Sequence, residues 1–194
     1  TSGSNFLQIN FEKHSSTAII ITVANALICI LSVLFIASKI DFETISQSAR
    51  TDVRIFFIIS NVISVLIVQF GGWFLQAVLI YLVSLSFNID LRFKSALIIT
   101  GIAYSGFLLT STFLLLYNFF TIEAGIPLEE FKEYVFSDVF RPITAKVGEY
   151  ITLMLAAILL YDAIHKFSKL KALLVIMIPS IVILFFEQIF NYVF

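Results

Sequence analysis

The stretch from Thr17 to Ser38 reads TAIIITVANALICILSVLFIAS and contains no charged residue. A helix needs about 20 predominantly apolar residues to cross the ~30 Å hydrocarbon core of a bilayer. Lys39 follows directly and ends the apolar run. The stretch therefore predicts a transmembrane helix, and it decides the class of protein to which the chain belongs.

The composition of the whole chain agrees with that class. Of its 194 residues, 60% are hydrophobic and only 13% are charged, whereas soluble domains carry about 25% charged residues. The formal net charge of −1 gives no basic surface for nucleic acid. We therefore expect an all-α integral membrane protein whose first partner is the lipid bilayer and which does not bind nucleic acid.

Four further apolar segments are long enough to be spans. With the first, they predict a bundle of five transmembrane helices in one domain over 17–194, after an N-terminal tail over 1–16. Residues 1–4, Thr-Ser-Gly-Ser, resemble the remains of a cleaved tag. The five predicted spans are 17–38, 55–87, 96–120, 148–166 and 170–194.

The second predicted span, 55–87, is much longer than the hydrocarbon core requires. It is either one long tilted helix or two short helices that meet at Gly71-Gly72-Trp73. Each half would have about 15 residues, which is short for a span. We favour one helix with a bend at the glycines, although Trp73 then lies deep in the bilayer, where Trp is unusual.

The polar stretch 41–54 predicts an amphipathic helix at the membrane surface. Asp41 suits its N-cap, and an ordinary connecting helix packed on the bundle is the alternative. Apolar residues recur at spacings of three, four and four, which places them on one helical face: Phe42, Ile45, Ala49 and Val53.

The acidic stretch 121–147 predicts a second interfacial helix. Pro127 suits its first turn and Pro142 its end. Its acidic side chains make it an unsuitable receptor for anionic lipid headgroups. One side of the helix would carry four apolar residues: Leu128, Phe131, Val135 and Val139.

Small residues are concentrated in the third predicted span. Gly101 and Ser105 are four residues apart, and Gly106 follows. Small residues at this spacing let helix backbones approach closely, so we expect these three positions to pack against other helices.

The motifs of catalysis are missing from the sequence. It has no phosphate loop, zinc motif or nucleophile elbow, and its single cysteine, Cys29, suits a small buried residue better than a metal ligand. We therefore expect no enzyme activity, no cofactor and no metal. Amide side chains in or near the spans are expected to join helices: Asn25, Asn61, Gln69, Gln76, Asn118 and Gln188.

Four ionisable residues in or near spans are candidates for function, because such groups are costly in a membrane. Asp162 and His165 are three residues apart and share a helix face, which would suit a proton relay. Glu149 and Glu187 fall at similar depth near the opposite membrane face. The alternative is that all four lie in the headgroup region, with Glu149 and Glu187 paired to Arg141 or Lys146.

The orientation in the membrane depends on Lys and Arg in short loops. Five spans divide these residues six against six, so the count alone does not decide. Two tight basic turns lie on the side of the N-terminus, and we therefore expect a cytoplasmic N-terminus.

Three short motifs resemble the Yip family (Ypt/Rab-interacting proteins) and its prokaryotic relatives. They are a polar turn, SFNIDLRFKS at 86–95, a small-residue and Tyr motif, GIAYSG at 101–106, and a basic turn, KFSKLKAL at 166–173. Family members often carry Gly and Pro where this chain has Ala103 and Leu108.

This resemblance implies a five-span fold, a cytosolic N-terminus and a membrane-organising or adaptor role without catalytic residues. A membrane-protein partner or a homo-oligomer would follow from such a role. The alternative function is a small transporter or channel that uses intramembrane acids.

Overall fold

The computed structural model describes residues 14–42, 47–128, 130–131, 138–164, 170–171, 174–175, 177–182 and 185, without the side chains of 47–48 and 162–164. The helices are α1 (Ser15–Lys39), α2 (Gln47–Leu66), α3 (Gly72–Ser86), α4 (Phe93–Ala103), α5 (Ser105–Thr121) and α6 (Phe140–Ile164). A π-helical segment, Ile67–Gly71, joins α2 to α3, and two short strands are β1 (Ile40–Asp41) and β2 (Ile126–Pro127).

Four of the described helical segments are long and apolar enough to cross a membrane. They are Ser15–Lys39, Ala49–Ser86, Phe93–Thr121 and Phe140–Tyr161. This pattern is that of an all-α, multi-pass membrane protein, as the composition predicts. The predicted fifth span, 170–194, lies mostly outside the described residues, so the five-span count stays a prediction.

The third span, formed by α4 and α5 with Tyr104 between them, is the centre of the bundle. It packs against α1, α3 and α6. In its most apolar 18-residue window 44% of the residues are buried, against none in the corresponding window of the second span. The third span is therefore the most buried of these four segments, and the second lies at the edge of the bundle.

The second span is one continuous helix from Gln47 through the glycine pair to Ser86. Its 38-residue apolar part is about 57 Å long at 1.5 Å per residue, well beyond the ~30 Å hydrocarbon core. The π-helical segment ends at Gly71, and Gly72 lies against the buried ring of Tyr104, whose hydroxyl would be 3.1 Å from an added Cβ. The tyrosine thus occupies the space that the missing side chain leaves.

The predicted interfacial helix over 41–54 is wrong. Asp41 belongs to β1, which pairs in parallel with β2, and the helix that contains residues 47–54 continues without a break into the second span. The reason is that Ala49, Val53 and Phe57 are spaced by four, so the apolar face of the polar turns is in phase with that of the span.

Aromatic side chains connect the polar stretches 41–54 and 121–147 beside this strand pair. Phe42 is buried, and its ring centroid lies 6.3 Å from that of Phe57. Phe131 contacts the same ring at 6.4 Å, while Glu130 is exposed. Phe42 and Phe131 therefore point inwards, as the amphipathic pattern predicts. Ile45 and Val135 lie outside the described residues, and Val139 is exposed.

The fourth span begins earlier than the predicted Gly148. The backbone N–H of Phe140 donates to Asp138 Oδ1 at 2.8 Å, a side-chain cap for the first turn of α6. Pro142 lies in that first turn, where its missing N–H costs nothing. The prediction that Pro142 ends a helix is therefore wrong, and Pro127, expected in a first helical turn, lies in β2.

The end of the second span lies beside the described part of the basic turn. Asn88 adopts a left-handed backbone with φ of 54°, and the N–H of Ile89 donates back to the carbonyl of Ser84 at 2.9 Å. Lys171 Nζ donates to the freed carbonyl of Phe87 at 3.1 Å. A cation is favourable at a helix C-terminus, so this contact holds Lys171 against the end of the second span.

Candidate functional site

Polar side chains from three helical segments meet about midway along the first span. They are Asn25 and Cys29 on α1, Gln69 in the π-helical segment and Ser111 on α5, and we call them the central polar cluster. Asn25 and Cys29 are four residues apart and therefore share a helix face. Polar groups within a membrane face the protein interior, and this face of α1 points to the other helices.

Hydrogen bonds connect the four side chains in sequence. Asn25 Nδ2 donates to Gln69 Oε1 at 2.7 Å. Gln69 Nε2 lies 3.5 Å from Cys29 Sγ, to which it donates, and Cys29 Sγ lies 3.6 Å from Ser111 Oγ. The donors all point the same way, from Asn25 towards Ser111, so each group between the two ends both accepts and donates.

The π-helical segment determines where Gln69 points. Successive residues of an α-helix are rotated by about 100°, so one extra residue in a turn reorients every side chain beyond it. Gln69 lies in the middle of Ile67–Gly71. The segment directs Gln69 to α1, while Val68, its neighbour in the chain, is exposed at the surface. Such π-helical turns occur frequently at functional sites.

One atom of the cluster has no partner among the described residues. Asn25 is 0% exposed, and its Oδ1 receives no hydrogen bond. An unpaired buried polar group costs about 1–3 kcal/mol, and bulk water is not available in the hydrocarbon core. This oxygen is the feature of the cluster that packing alone does not explain.

A second polar group lies where α5 ends and α6 begins. Arg141 Nε donates to Oδ1 of the buried Asn118 at 2.9 Å, and its Nη1 lies 3.0 Å from Asp138 Oδ2. The guanidinium also lies over the ring of Tyr117, 5.8 Å from its centroid. The charge of Arg141 is thus balanced and its donors are used to join two helices.

Of the four ionisable candidates from the sequence, only Glu149 has a described side chain. Glu149 forms a salt bridge of 2.8 Å with Lys146, three residues before it on α6, which is one of the two partners that the sequence suggests. Asp162 lies in α6, but its side chain is outside the description, and His165 and Glu187 lie outside the described residues.

The small residues of the third span contact other helices of the same chain. A Cβ added at Gly101 would lie 2.7 Å from the Cβ of Ala18 on α1. One added at Gly106 would lie 2.6 Å from Thr152 Oγ1 on α6. Ser105, between them in the sequence, is half-buried.

Two contacts are difficult to find from the sequence. Trp73 lies deep in the second span, and its Nε1–H donates to the backbone carbonyl of Leu97 at 3.0 Å. This bond satisfies the one polar group of the indole, so the ring can lie at this depth. Ser111 is one of many hydroxyl residues in spans, and only its distance to Cys29 distinguishes it.

Within the described ranges, no group of three or more His, Cys, Asp or Glu residues could hold a metal ion.

No family model, no curated protein and no solved structure matches this chain. The resemblance to the Yip family therefore stays a prediction, and the function has to be argued from the geometry.

Proposed function

We propose that this chain is a non-enzymatic, multi-pass membrane scaffold or adaptor of the Yip type. The observation that supports it most is the close packing around three glycines, because Gly101 brings α4 against α1, and Gly106 and Gly148 bring α5 against α6. A Cβ at Gly148 would overlap the side chain of Thr110, as one at Gly106 would overlap Thr152. Contacts this close favour a rigid bundle that presents a fixed outer surface.

The described polar groups within the spans also support this proposal. Asn25 bonds to Gln69, Asn118 to Arg141, and Trp73 to the carbonyl of Leu97. Interhelical hydrogen bonds of this kind stabilise helix association in membranes. These groups are used to hold the fold together, as expected for a protein that works through its shape.

The second span provides the surface for a partner. No residue of its most apolar window is buried, and Phe56, Ile59 and Ile63 form an exposed stripe along α2. The helix is longer than the hydrocarbon core, so its N-terminal turns, with Arg50 and Arg54, extend towards the headgroups. The proposed partner is a transmembrane helix of another protein or of a second copy, which would pack along α2.

Site-specific photo-crosslinking in native membranes tests this proposal. A photoreactive residue at Phe56 should give a discrete cross-linked band, because a partner would lie on α2. The matched control is Phe113 on α5, which is also an exposed aromatic residue of a span and should cross-link to lipid only. The same bands from both positions, or none from Phe56, would contradict the proposal.

A small transporter or channel is the second candidate, and the central polar cluster is the observation that favours it. A chain of hydrogen-bonding side chains at mid-depth resembles the lining of a polar path more than the wall of an apolar bundle. Uptake of ions or small solutes into liposomes with the pure protein tests it. Flux that is abolished by Gln69→Leu or Asp162→Asn would replace the scaffold proposal.

A further inference from the structure

We propose that α6 lines a water-filled inlet that leads from Arg141 to the ion pair of Lys146 and Glu149 at the middle of the bilayer. The inlet lies on the outer face of the bundle and is separated from the central polar cluster by α5. It does not depend on the scaffold proposal, because a rigid bundle and a transport protein can both carry such an inlet.

The contact between α5 and α6 gives the level of the ion pair. A Cβ added at Gly148 would overlap the side chain of Thr110 on α5, so these two residues lie at the same depth. Lys146 comes two residues before Gly148 and Glu149 one residue after it. At 1.5 Å per residue, both backbones lie within about 3 Å of the depth of Thr110.

The contact between α5 and α1 places that level within the membrane. Ser111, the residue after Thr110, has its Oγ 3.6 Å from Cys29 Sγ on α1. Cys29 is nine residues before Ser38, the last residue of the charge-free run, and this is about 14 Å of helix. Half of the hydrocarbon core is about 15 Å thick. The ion pair therefore lies near the centre of the bilayer.

The ion pair is not enclosed by the protein. Lys146 Nζ lies 2.8 Å from Glu149 Oε2, and 45% of the Lys146 side chain and 16% of the Glu149 side chain are exposed. This exposed surface leaves room for water beside both charges. A charged side chain in the hydrocarbon region costs free energy, which local thinning of the bilayer and the entry of water reduce. The exposed side of the pair therefore contacts water and not acyl chains.

Polar and small side chains give the course of the inlet along α6. Arg141, Ala145 and Glu149 are spaced by four and share a helix face, and Ala145 is exposed. Arg141 lies in the first turn of α6, where its guanidinium pairs with Asp138 at 3.0 Å. Beyond Glu149, the exposed side chain of Met154 is apolar. The inlet therefore opens at the start of α6 and ends at Glu149.

The neighbouring helix α5 has an apolar surface at the same depth. The two helices are antiparallel and meet at Thr110 and Gly148. Phe113 comes three residues after Thr110, and Ala145 three residues before Gly148, so both lie at one level. Phe113 is 59% exposed and faces lipid. The inlet is thus confined to α6, and Phe113 provides a lipid-facing position of equal depth.

Reaction of single cysteines with a charged, water-soluble methanethiosulfonate tests the proposal. The full chain is placed in lipid vesicles with the reagent on both sides of the membrane, and Cys29→Ser removes the native thiol. The reactive form of cysteine is the thiolate, which forms where water reaches the side chain. Ala145→Cys should therefore react several-fold faster than Phe113→Cys, its matched control. Both positions are exposed, so neither substitution leaves a cavity in the core.

A further variant tests whether the ion pair draws the water in. Lys146→Met combined with Glu149→Leu removes both charges and keeps side chains of similar size. The rate at Ala145→Cys should then fall to the rate at Phe113→Cys. Equal rates at the two positions with the ion pair intact would overturn the proposal. An unchanged rate at Ala145→Cys in a folded protein without the pair would overturn it as well, because water would then reach α6 without the two charges.

Discussion

The second and third spans are similar in hydropathy and glycine content but differ in how far other helices bury them. Both are apolar, with mean hydropathies of 2.1 and 1.7 in their best windows, and both contain two glycines. Yet the third packs against three other helices, and the second has no buried residue in its window. Hydropathy marks both as spans but does not distinguish them, since lipid and the bundle interior are equally apolar. The position of the glycines distinguishes them, because Gly101 and Gly106 meet the backbone of other helices, whereas Gly72 meets only the hydroxyl of Tyr104 and Gly71 meets nothing within 4 Å.

The largest effect is expected from filling the space at Gly106. In Gly106→Ala the new Cβ would lie 2.7 Å from the backbone nitrogen of Thr152, which cannot move without shifting α6. Overpacking of this kind costs about 1–3 kcal/mol. Gly71→Ala is the matched control, and it should stabilise the helix by about 0.5–1 kcal/mol because Ala is the better helix former. Thermal unfolding in detergent measures both.

The comparison fails if the two glycines behave alike. Equal melting temperatures for Gly106→Ala and Gly71→Ala would mean that α5 and α6 are not in backbone contact. The third span would then lose its central place in the bundle.

The next effect compares two asparagines, one bonded to another helical segment and one bonded to its own helix. Asn25→Leu removes the bond to Gln69 and leaves Gln69 Oε1 without that donor. Asn61→Leu removes only a bond to the carbonyl of Phe57 on its own helix, 2.8 Å away. Interhelical hydrogen bonds in membranes are worth about 0.6 kcal/mol on average and about 1.7 at most. We expect a loss in this range for Asn25→Leu and almost none for Asn61→Leu, measured by unfolding in mixed detergent. A larger loss at Asn61 would show that the partner across the helices matters less than the amide's own helix.

The spans and the side chains that join them differ in how far the sequence predicts them. The run 17–38 gives α1 to within two residues, because length and charge alone decide a span. The start of the fourth span was missed because Asp138 and Pro142 act through local cap geometry that an apolar count does not detect. The parallel pairing of Ile40 with Ile126 connects residues far apart in the sequence, and no pattern within either segment predicts it.

The candidate site shows the same division. The amides of Asn25, Gln69 and Asn118 were expected to join helices, since polar groups in spans seek partners. Their partners could not be derived, because the π-helical segment changes the rotation of Gln69 and leaves no mark in the sequence. Gly71-Gly72 signals an irregularity there, but a bend, a break and a π-helical turn would all suit two glycines.

A smaller effect is expected at Trp73. Trp73→Phe keeps an aromatic ring but removes the N–H that donates to Leu97, so the loss should be about 0.6 kcal/mol. Phe113→Leu on the lipid-facing side of α5 is the control and should be neutral. Tryptophan fluorescence gives a second reading, because Trp73 is the only tryptophan. A blue-shifted emission in lipid is expected for an indole at this depth, and emission typical of the interface would contradict the assigned position.

The smallest effect is expected at Glu149, and it decides whether this residue is structural. Its salt bridge with Lys146 is partly exposed, with 45% of the Lys146 side chain accessible, and exposed ion pairs contribute about 0–1 kcal/mol. Glu149→Gln should therefore leave the melting temperature nearly unchanged, and what little is lost should shrink further at high salt, since ions screen exposed charges. Lys146→Met, which removes the other partner, should give the same small loss. A large loss from Glu149→Gln alone would show that the carboxylate has a partner besides Lys146. If the protein melts like the parent while crosslinking at Phe56 or liposome flux disappears, Glu149 acts in function and not in the stability of α6.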